Sequence, residues 1–375
     1  MKRMMVLFLA AGILPAVLVH TQDITPFKLG TFQRDGRTFV GIVLRDAIVV
    51  DFAAASRAVR PAARVQPPSD MKDLIGRYES GVRDRIVEIV KSVGAAPAAG
   101  RPAYVYDVKA LKTMPPIMYP TTMLNVAVNY AEHGAEMAAR DATRTAAQGA
   151  APQGSAPPGT KSAPGLWERK AGDNRWNPYM FLKSPTAVIA EGETIRLPPG
   201  RTDIDWECEL GVVIGRAASH VSAANARNYI FGYTVENDVS DRGGRGDTRF
   251  GGSDWLLGKS HDTFAPMGPF IVPKEFVSDP QALPIKVMLN GKPFQEGTSA
   301  QMIHDVYEQV VYGSNIMTLR PGDVIATGTP PGVGSAKTPP VFFKAGDVLV
   351  CTYEGIGTLT NPVAGPAQPT ATSSR

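Results

Sequence analysis

The chain has 375 residues, 43% hydrophobic and 20% charged, which supplies a large core and excludes wholesale disorder. Net charge is +4, and leaving out residues 1–22, which hold Lys2 and Arg3 but no acids, leaves 37 basic against 35 acidic residues. No block of Lys and Arg stands out, so nucleic acid is not an expected partner.

Residues 1–22 read as an export signal or N-terminal anchor, with a basic Met1-Lys2-Arg3 followed by an apolar run from Met4 to Val19. Sixteen apolar residues fit a signal core better than a membrane span, which needs about 20. No clean Ala-x-Ala cleavage site follows. This segment predicts an exported protein, periplasmic or secreted. With only Cys208 and Cys351 present, both read as buried small hydrophobes and not as a disulfide framework.

Residues 23–115 form the expected small N-terminal α+β domain. Short β-like runs occupy 24–60, with Asp35-Gly36 as a hairpin turn, and apolar spacing predicts one helix from Asp70 to Val93. Pro115, Pro116 and Pro120 punctuate entry into a second unit, 116–363. There, Thr122 to Tyr130 predicts a buried strand, followed by a short helix from about Ala131 to Ala139 with Asn129 as its N-cap. Residues 141–165, rich in Ala, Pro, Gly and Ser, predict a mobile insertion. From Ala187 to Val363 the pattern is mostly short strands, with a helical turn at Asn225 to Tyr229 and a helix at Ile303 to Met317. Residues 364–375 predict a disordered polar tail.

The stretch Asp203-Ile204-Asp205-Trp206-Glu207-Cys208-Glu209-Leu210 alternates acid with apolar residue, which as a strand puts four carboxylates on one face. Like charges roughly 7 Å apart repel, so such a face needs water or a cation in front of it; a solvated sheet face and a metal site both satisfy that. His133 lies three residues before Glu136 on one helical face, the spacing of a surface pair or of an oriented general base. Asp238 ends an expected strand and precedes a Gly-rich loop carrying Arg242, the pattern of an ion pair or of a ligand. Lys259 sits among apolar residues, where it either snorkels to solvent or meets an anion. In the loop 328–334, backbone N–H groups could hold a carboxylate, although its prolines remove donors.

The order of these pieces resembles the fumarylacetoacetate hydrolase superfamily over about residues 120–363. The resemblance rests on Asn129-Tyr130-Ala131-Glu132-His133, Asp205 to Gly215, Gly232 to Ser240, Gly258-Lys259-Ser260, Pro321 to Pro330 and Glu354 to Leu359. It implies an α+β, mostly β fold: a mixed β-roll catalytic domain, usually in a homodimer. It further implies Mg²⁺ or Mn²⁺, with Ca²⁺ also compatible, held by Glu207, Glu209 and Asp238. His133 with Glu136 would be the catalytic dyad, Lys259 would stabilise an oxyanion, and Tyr130, Arg242 and Thr329 would contact a small oxo-acid substrate. The implied reaction is hydrolysis of a C–C bond in a small acylpyruvate or β-diketo acid through a metal-bound enolate. The alternative is isomerisation, decarboxylation or lysis of a 2-oxo or hydroxymuconate-type diacid. A non-catalytic exported binding protein is a further alternative.

Two departures bear on substrate. Val126 stands where fumarylacetoacetases proper carry an acid, which points to the acylpyruvase-like and isomerase-like branches. Gly243-Gly244-Arg245 follows Arg242 where relatives have further polar contacts, so no Gln contact carries over.

Overall fold

The computed structural model describes residues 24–94, 100–147, 163–168, 170–246 and 254–366. The N-terminal segment 1–22, most of the expected insertion (148–162) and nearly all of the tail (367–375) lie outside the described residues.

The chain opens on strands β1 (Lys28–Arg34), β2 (Arg37–Leu44) and β3 (Ile48–Asp51), an antiparallel meander whose first turn is Asp35-Gly36, both at positive φ. Asp51 caps helix α1 (Phe52–Ala58), its carboxylate accepting from the Ala54 amide at 3.0 Å, an arrangement worth about 1 kcal/mol. The predicted single helix at 70–93 is two: α2 (Met71–Gly76) and α3 (Val82–Gly94). The break falls at Gly81, whose φ of 99° lies in the left-handed region that ends a helix. Strands β4 (Val105–Asp107) and β5 (Lys112–Met114) complete this part.

Next come β6 (Met123–Val126) and helix α4, which runs from Ala131 to Ala147 and so extends into the stretch expected to be mobile. Asn129 does not cap it. Its amide instead donates to the carbonyls of His304 and Thr327 and accepts from the His304 amide, tying together segments 175 and 198 residues away. Short strands β7 (Met180–Leu182), β8 (Val188–Ile189), β9 (Ile195–Arg196) and β10 (Ile204–Asp205) lead into the two long central strands, β11 (Cys208–Ile214) and β12 (Ile230–Asn237). After β13 (Ser240–Asp241) and α5 (Trp255–Lys259) follow β14 (Ala265–Pro273), β15 (Pro284–Leu289), β16 (Lys292–Thr298), α6 (Val306–Ile316), β17 (Val324–Ala326), β18 (Val348–Tyr353) and β19 (Gly357–Ala364).

The fold is mostly β, as expected, with mixed sheets. A 12-stranded sheet runs β4-β3-β2-β1-β14-β12-β11-β17-β6-β7, with β5 on β1 and β8 on β14; a five-stranded sheet runs β16-β15-β18-β19-β9. Because β1 pairs with β14, the N-terminal strands continue the catalytic sheet. The larger core lies between the two sheets, joining Leu210, Val212, Tyr233 and Val235 to Ile285, Val287, Leu349 and Cys351. Helices α1 to α3 cover the other face of the N-terminal strands with a second core. β11 and β12 are therefore buried along their whole length, on both faces. Any charge they carry must be answered from within the protein.

Candidate metal centre and active site

The alternating acids do not form one continuous strand face. β10 ends at Asp205 and β11 begins at Cys208, so Trp206 and Glu207 form a break that splits the four acids. The indole of Trp206 is wholly buried against Phe294 and Phe343 and anchors the break. The Glu207 amide donates to the Asn237 side chain, and its carbonyl accepts from the Asp238 amide, which brings Asp238 over from the end of β12. Asp203 stays outside, bonded to the adjacent Thr202 hydroxyl. Asp205 turns to Arg242 and to the Ser335 amide.

What gathers is the trio Glu207, Glu209 and Asp238, all buried, with one carboxylate oxygen of each within 4.8 Å of the others. The Lys259 ammonium bridges two of them, at 2.7 Å from Glu207 and 2.6 Å from Asp238. It also sits 5.4 Å from the Phe181 ring centroid, and that ring stacks on Trp255. Arg242 grips Glu207 as well as Asp205. Burial alone would raise the Glu207 pKa, but Lys259, Arg242 and His133 outweigh it and hold the carboxyl well below the usual range. Burial would likewise lower the Lys259 pKa, yet Asp238 and Glu207 keep it raised and charged.

Glu209 is different. Its Oε2 accepts from the Gly328 amide at 2.8 Å, and among the described residues no cationic side chain bonds to it. Burial first, then the carboxylates of Asp238, Glu236 and Glu207, push its pKa well above the carboxylate range. A buried acid at an all-carboxylate corner is what a hard dication would relieve, so the trio fits Mg²⁺, Mn²⁺ or Ca²⁺ and disfavours zinc.

His133 and Glu136 sit on one face of α4, with Nδ1 2.8 Å from Glu136 Oε1 and Nε2 3.9 Å from Glu207 Oε1. Glu136 is clasped in turn by the Gly332 amide, at 3.0 and 2.9 Å from its two oxygens. The loop after β17 thus holds carboxylates as expected, but they are the chain's own: Glu209 at Gly328, Glu136 at Gly332, Asp205 at Ser335. Gly332 has φ 111°, and a Cβ there would lie 2.2 Å from the Phe294 carbonyl oxygen, so any side chain forces the loop to shift.

Three expected substrate contacts are placed otherwise. Tyr130 is 1% exposed within the larger core, where burial and the neighbouring Tyr353 surround its ring. The Thr329 hydroxyl donates to the Cys208 carbonyl and accepts from Gln295, which leaves it no proton for a substrate carboxylate. The Arg242 guanidinium faces Asp205 and Glu207, so it braces the trio. Lys183 and Gln295 were not foreseen. Lys183 is fully buried, its Nζ 2.5 Å from Asp238 Oδ1 and 3.2 Å from the Val239 carbonyl. The one sequence signal for Lys183 is its place directly after the apolar run Met180-Phe181-Leu182.

Residues 122–364 match the fumarylacetoacetate (FAA) hydrolase C-terminal family. Among curated proteins, the chain is 42% identical over 186 residues to human "Oxaloacetate tautomerase FAHD2A, mitochondrial", covering 50% of this chain and 59% of that protein. It is 41% identical over 186 residues to the Xenopus laevis protein of the corresponding name, covering 50% of this chain and 58% of that one. The chain thus spans less than two thirds of these relatives' length. Among solved structures, it resembles maleylpyruvate hydrolase from Sphingobium sp. SYK-6 in complex with manganese(II) and pyruvate (TM-score 0.64, 25% identity, 91% of this chain and 100% of that one). It also resembles 5-carboxymethyl-2-hydroxymuconate delta-isomerase from Mycobacterium smegmatis (TM-score 0.59, 28% identity, 91% and 100%).

The comparisons overturn the expectation of export, since these relatives are named as mitochondrial and not as exported proteins. That expectation rested on the apolar composition of residues 4–19, which is independent of the fold, and no described helix is long and apolar enough to cross a membrane. The order of the acid trio, the dyad and the glycine loop in the matched region has one reading: the chain belongs to the fumarylacetoacetate hydrolase family of enzymes.

Proposed function

We propose that the chain is a divalent-metal-dependent tautomerase that interconverts the keto and enol forms of a small 2-oxo dicarboxylic acid of the oxaloacetate kind. The observation that carries this reading is the His133–Glu136 dyad standing beside the acid trio, with Nε2 3.9 Å from Glu207. Glu136 accepts the Nδ1 proton, which fixes the tautomer whose Nε2 lone pair faces the trio. His133 Nε2 then takes a proton from the carbon next to the oxo group and delivers it to the oxo oxygen, giving the enol, and the same transfer run backwards returns it to carbon, with no carbon–carbon bond broken. The Lys259 ammonium favours negative charge on the oxo oxygen as that proton leaves. Glu207, Glu209 and Asp238 would hold Mg²⁺ or Mn²⁺, which when bound polarises the oxo group as a Lewis acid. Relatives named as oxaloacetate tautomerases, at 41–42% identity, support this reaction above the others.

A second reading, hydrolysis of an acylpyruvate, is favoured by the likeness to maleylpyruvate hydrolase. It needs the same histidine to activate water. We also propose homodimer pairing, supported by Leu182 on edge strand β7 and by Leu256, which are 58% and 74% exposed, and read by light scattering.

The test is to follow the enol absorbance of oxaloacetate with purified chain and Mn²⁺ or EDTA. Metal-dependent acceleration that is lost in His133→Ala supports the tautomerase. Pyruvate release from an acylpyruvate, with no acceleration of tautomerisation, replaces it with the hydrolase.

A further inference from the structure

The metal-site mechanism leaves one buried charge without a role. Glu236 lies on β12 directly across from Glu209 on β11, its Cα partner in the antiparallel register, so the two side chains project from the same face as neighbours. It is 0% exposed, and among the described residues neither carboxylate oxygen has a hydrogen-bond partner. On its other side the register places Met267 of β14, which offers no donor. Two residues on is Asp238, and the charges that act on Glu236 most strongly are those of Asp238, Lys183, Lys259 and Glu207, the groups of the trio and its ammonium partners. An isolated buried carboxylate is costly and is retained only where something answers it.

The buried charges show what would. Four carboxylates, Glu207, Glu209, Glu236 and Asp238, face two ammoniums, Lys183 and Lys259, while Asp205 and Arg242 offset each other alongside. With all four ionised, as a bound dication would favour, the surplus is two negative charges, the charge of one dication. Without Glu236 the surplus is one.

We propose that Glu236 is an auxiliary acid of the metal centre: a positioning residue that touches no substrate and sets how tightly the trio holds its dication. This rests on the metal reading above. The charge acts through Glu209, across one strand spacing, in a buried interior where screening is weak.

The test is calorimetric titration of Mn²⁺ into metal-free wild-type chain and the Glu236→Gln and Glu236→Asp variants, with thermal melting of each in EDTA. Glu236→Gln keeps shape and removes charge. It is expected to weaken Mn²⁺ binding roughly ten- to hundredfold, the range for groups that support a metal's ligands, while the metal-free protein melts no lower than wild type because a buried acid without a hydrogen-bond partner is gone. Glu236→Asp keeps the charge and should retain affinity within a few-fold. Equal Mn²⁺ affinity in wild type and Glu236→Gln overturns the inference while leaving the metal centre standing. So does equal weakening in both variants, or weakening matched by a lower metal-free melting temperature. Absence of Mn²⁺ binding in wild type overturns the inference and the metal reading together.

Discussion

Residues 24–94 and the acid pocket are built on one sheet, yet they treat buried charge in opposite ways. In the N-terminal part the buried Asp51 accepts from the Ala54 amide and from Arg37, and the buried Arg85 donates to Glu88 and to the carbonyls of Ser56 and Val59. Both charges are answered locally, by residues within 29 positions. In the pocket, Glu209 has a single backbone donor and Glu236 has none. Charge that is satisfied within the chain stabilises a fold, whereas charge left over in a sealed interior marks where something else binds.

That contrast can be broken most sharply at Glu209. Glu209→Gln keeps an oxygen for the Gly328 amide and removes the charge, so the metal-free melting temperature should hold while Mn²⁺ binding and tautomerisation fall by about a hundredfold or more. A variant that melts early would place Glu209 among structural acids. His133→Ala is expected to slow tautomerisation by roughly 10²–10⁴-fold with Mn²⁺ affinity nearly unchanged, because the role proposed for the imidazole is that of a base and not of a ligand. Kinetics and titration on the same preparation separate the two effects.

On the paired side of the comparison, Arg85→Met strips Glu88 and two carbonyls of their donor, and denaturant unfolding should record a loss of about 3 kcal/mol. Turnover per folded molecule should stay as it was. Gly332→Ala tests the join between scaffold and site. Its Cβ meets the Phe294 carbonyl, so the loop must shift, at about 1–3 kcal/mol in unfolding, and the slackened clasp on Glu136 should lower kcat more than it changes KM.

The smallest effect concerns pH. Burial would raise the Glu308 pKa, but the His304 ring, 3.5 Å away, and the hydrogen bonds of Arg175 hold it at about 2. A folded value below the unfolded 4.5 contributes stability above that pH, which is lost as pH falls toward 2. Glu308→Gln should therefore flatten the acid limb of the melting-temperature profile between these values, and an unchanged limb would remove Glu308 from the account.

Much of this was legible in the sequence because it is local. The alternation of acids around Glu207 and Glu209, the three-residue step from His133 to Glu136 and the Gly-rich turn at 328–334 are all short-range patterns, although Glu207 itself falls in the break before β11. What was not legible depends on distant segments. Lys183 meets Asp238 55 residues on, Gln295 meets Thr329 34 on, and Asn129 joins segments beyond 300. Arg242 and Thr329 carry the right chemistry for substrate, but Asp205, Glu207 and the Cys208 carbonyl occupy it, and only the fold shows that. The helix break at Gly81 depends on a left-handed backbone, which apolar spacing does not report. Glu236 was visible as a residue, but its register opposite Glu209 was not.

The central claim is that Glu207, Glu209 and Asp238 close around one dication. Thermal melting of EDTA-treated chain, with and without Mn²⁺ at about 100 times its dissociation constant, tests it most directly. Binding to the folded state alone adds about 2.7 kcal/mol, so the account predicts a melting temperature several degrees higher in wild type and, with binding about a hundredfold weaker, no more than about 0.4 kcal/mol of stabilisation in Glu209→Gln. An equal shift in both proteins, or none in wild type, would contradict it.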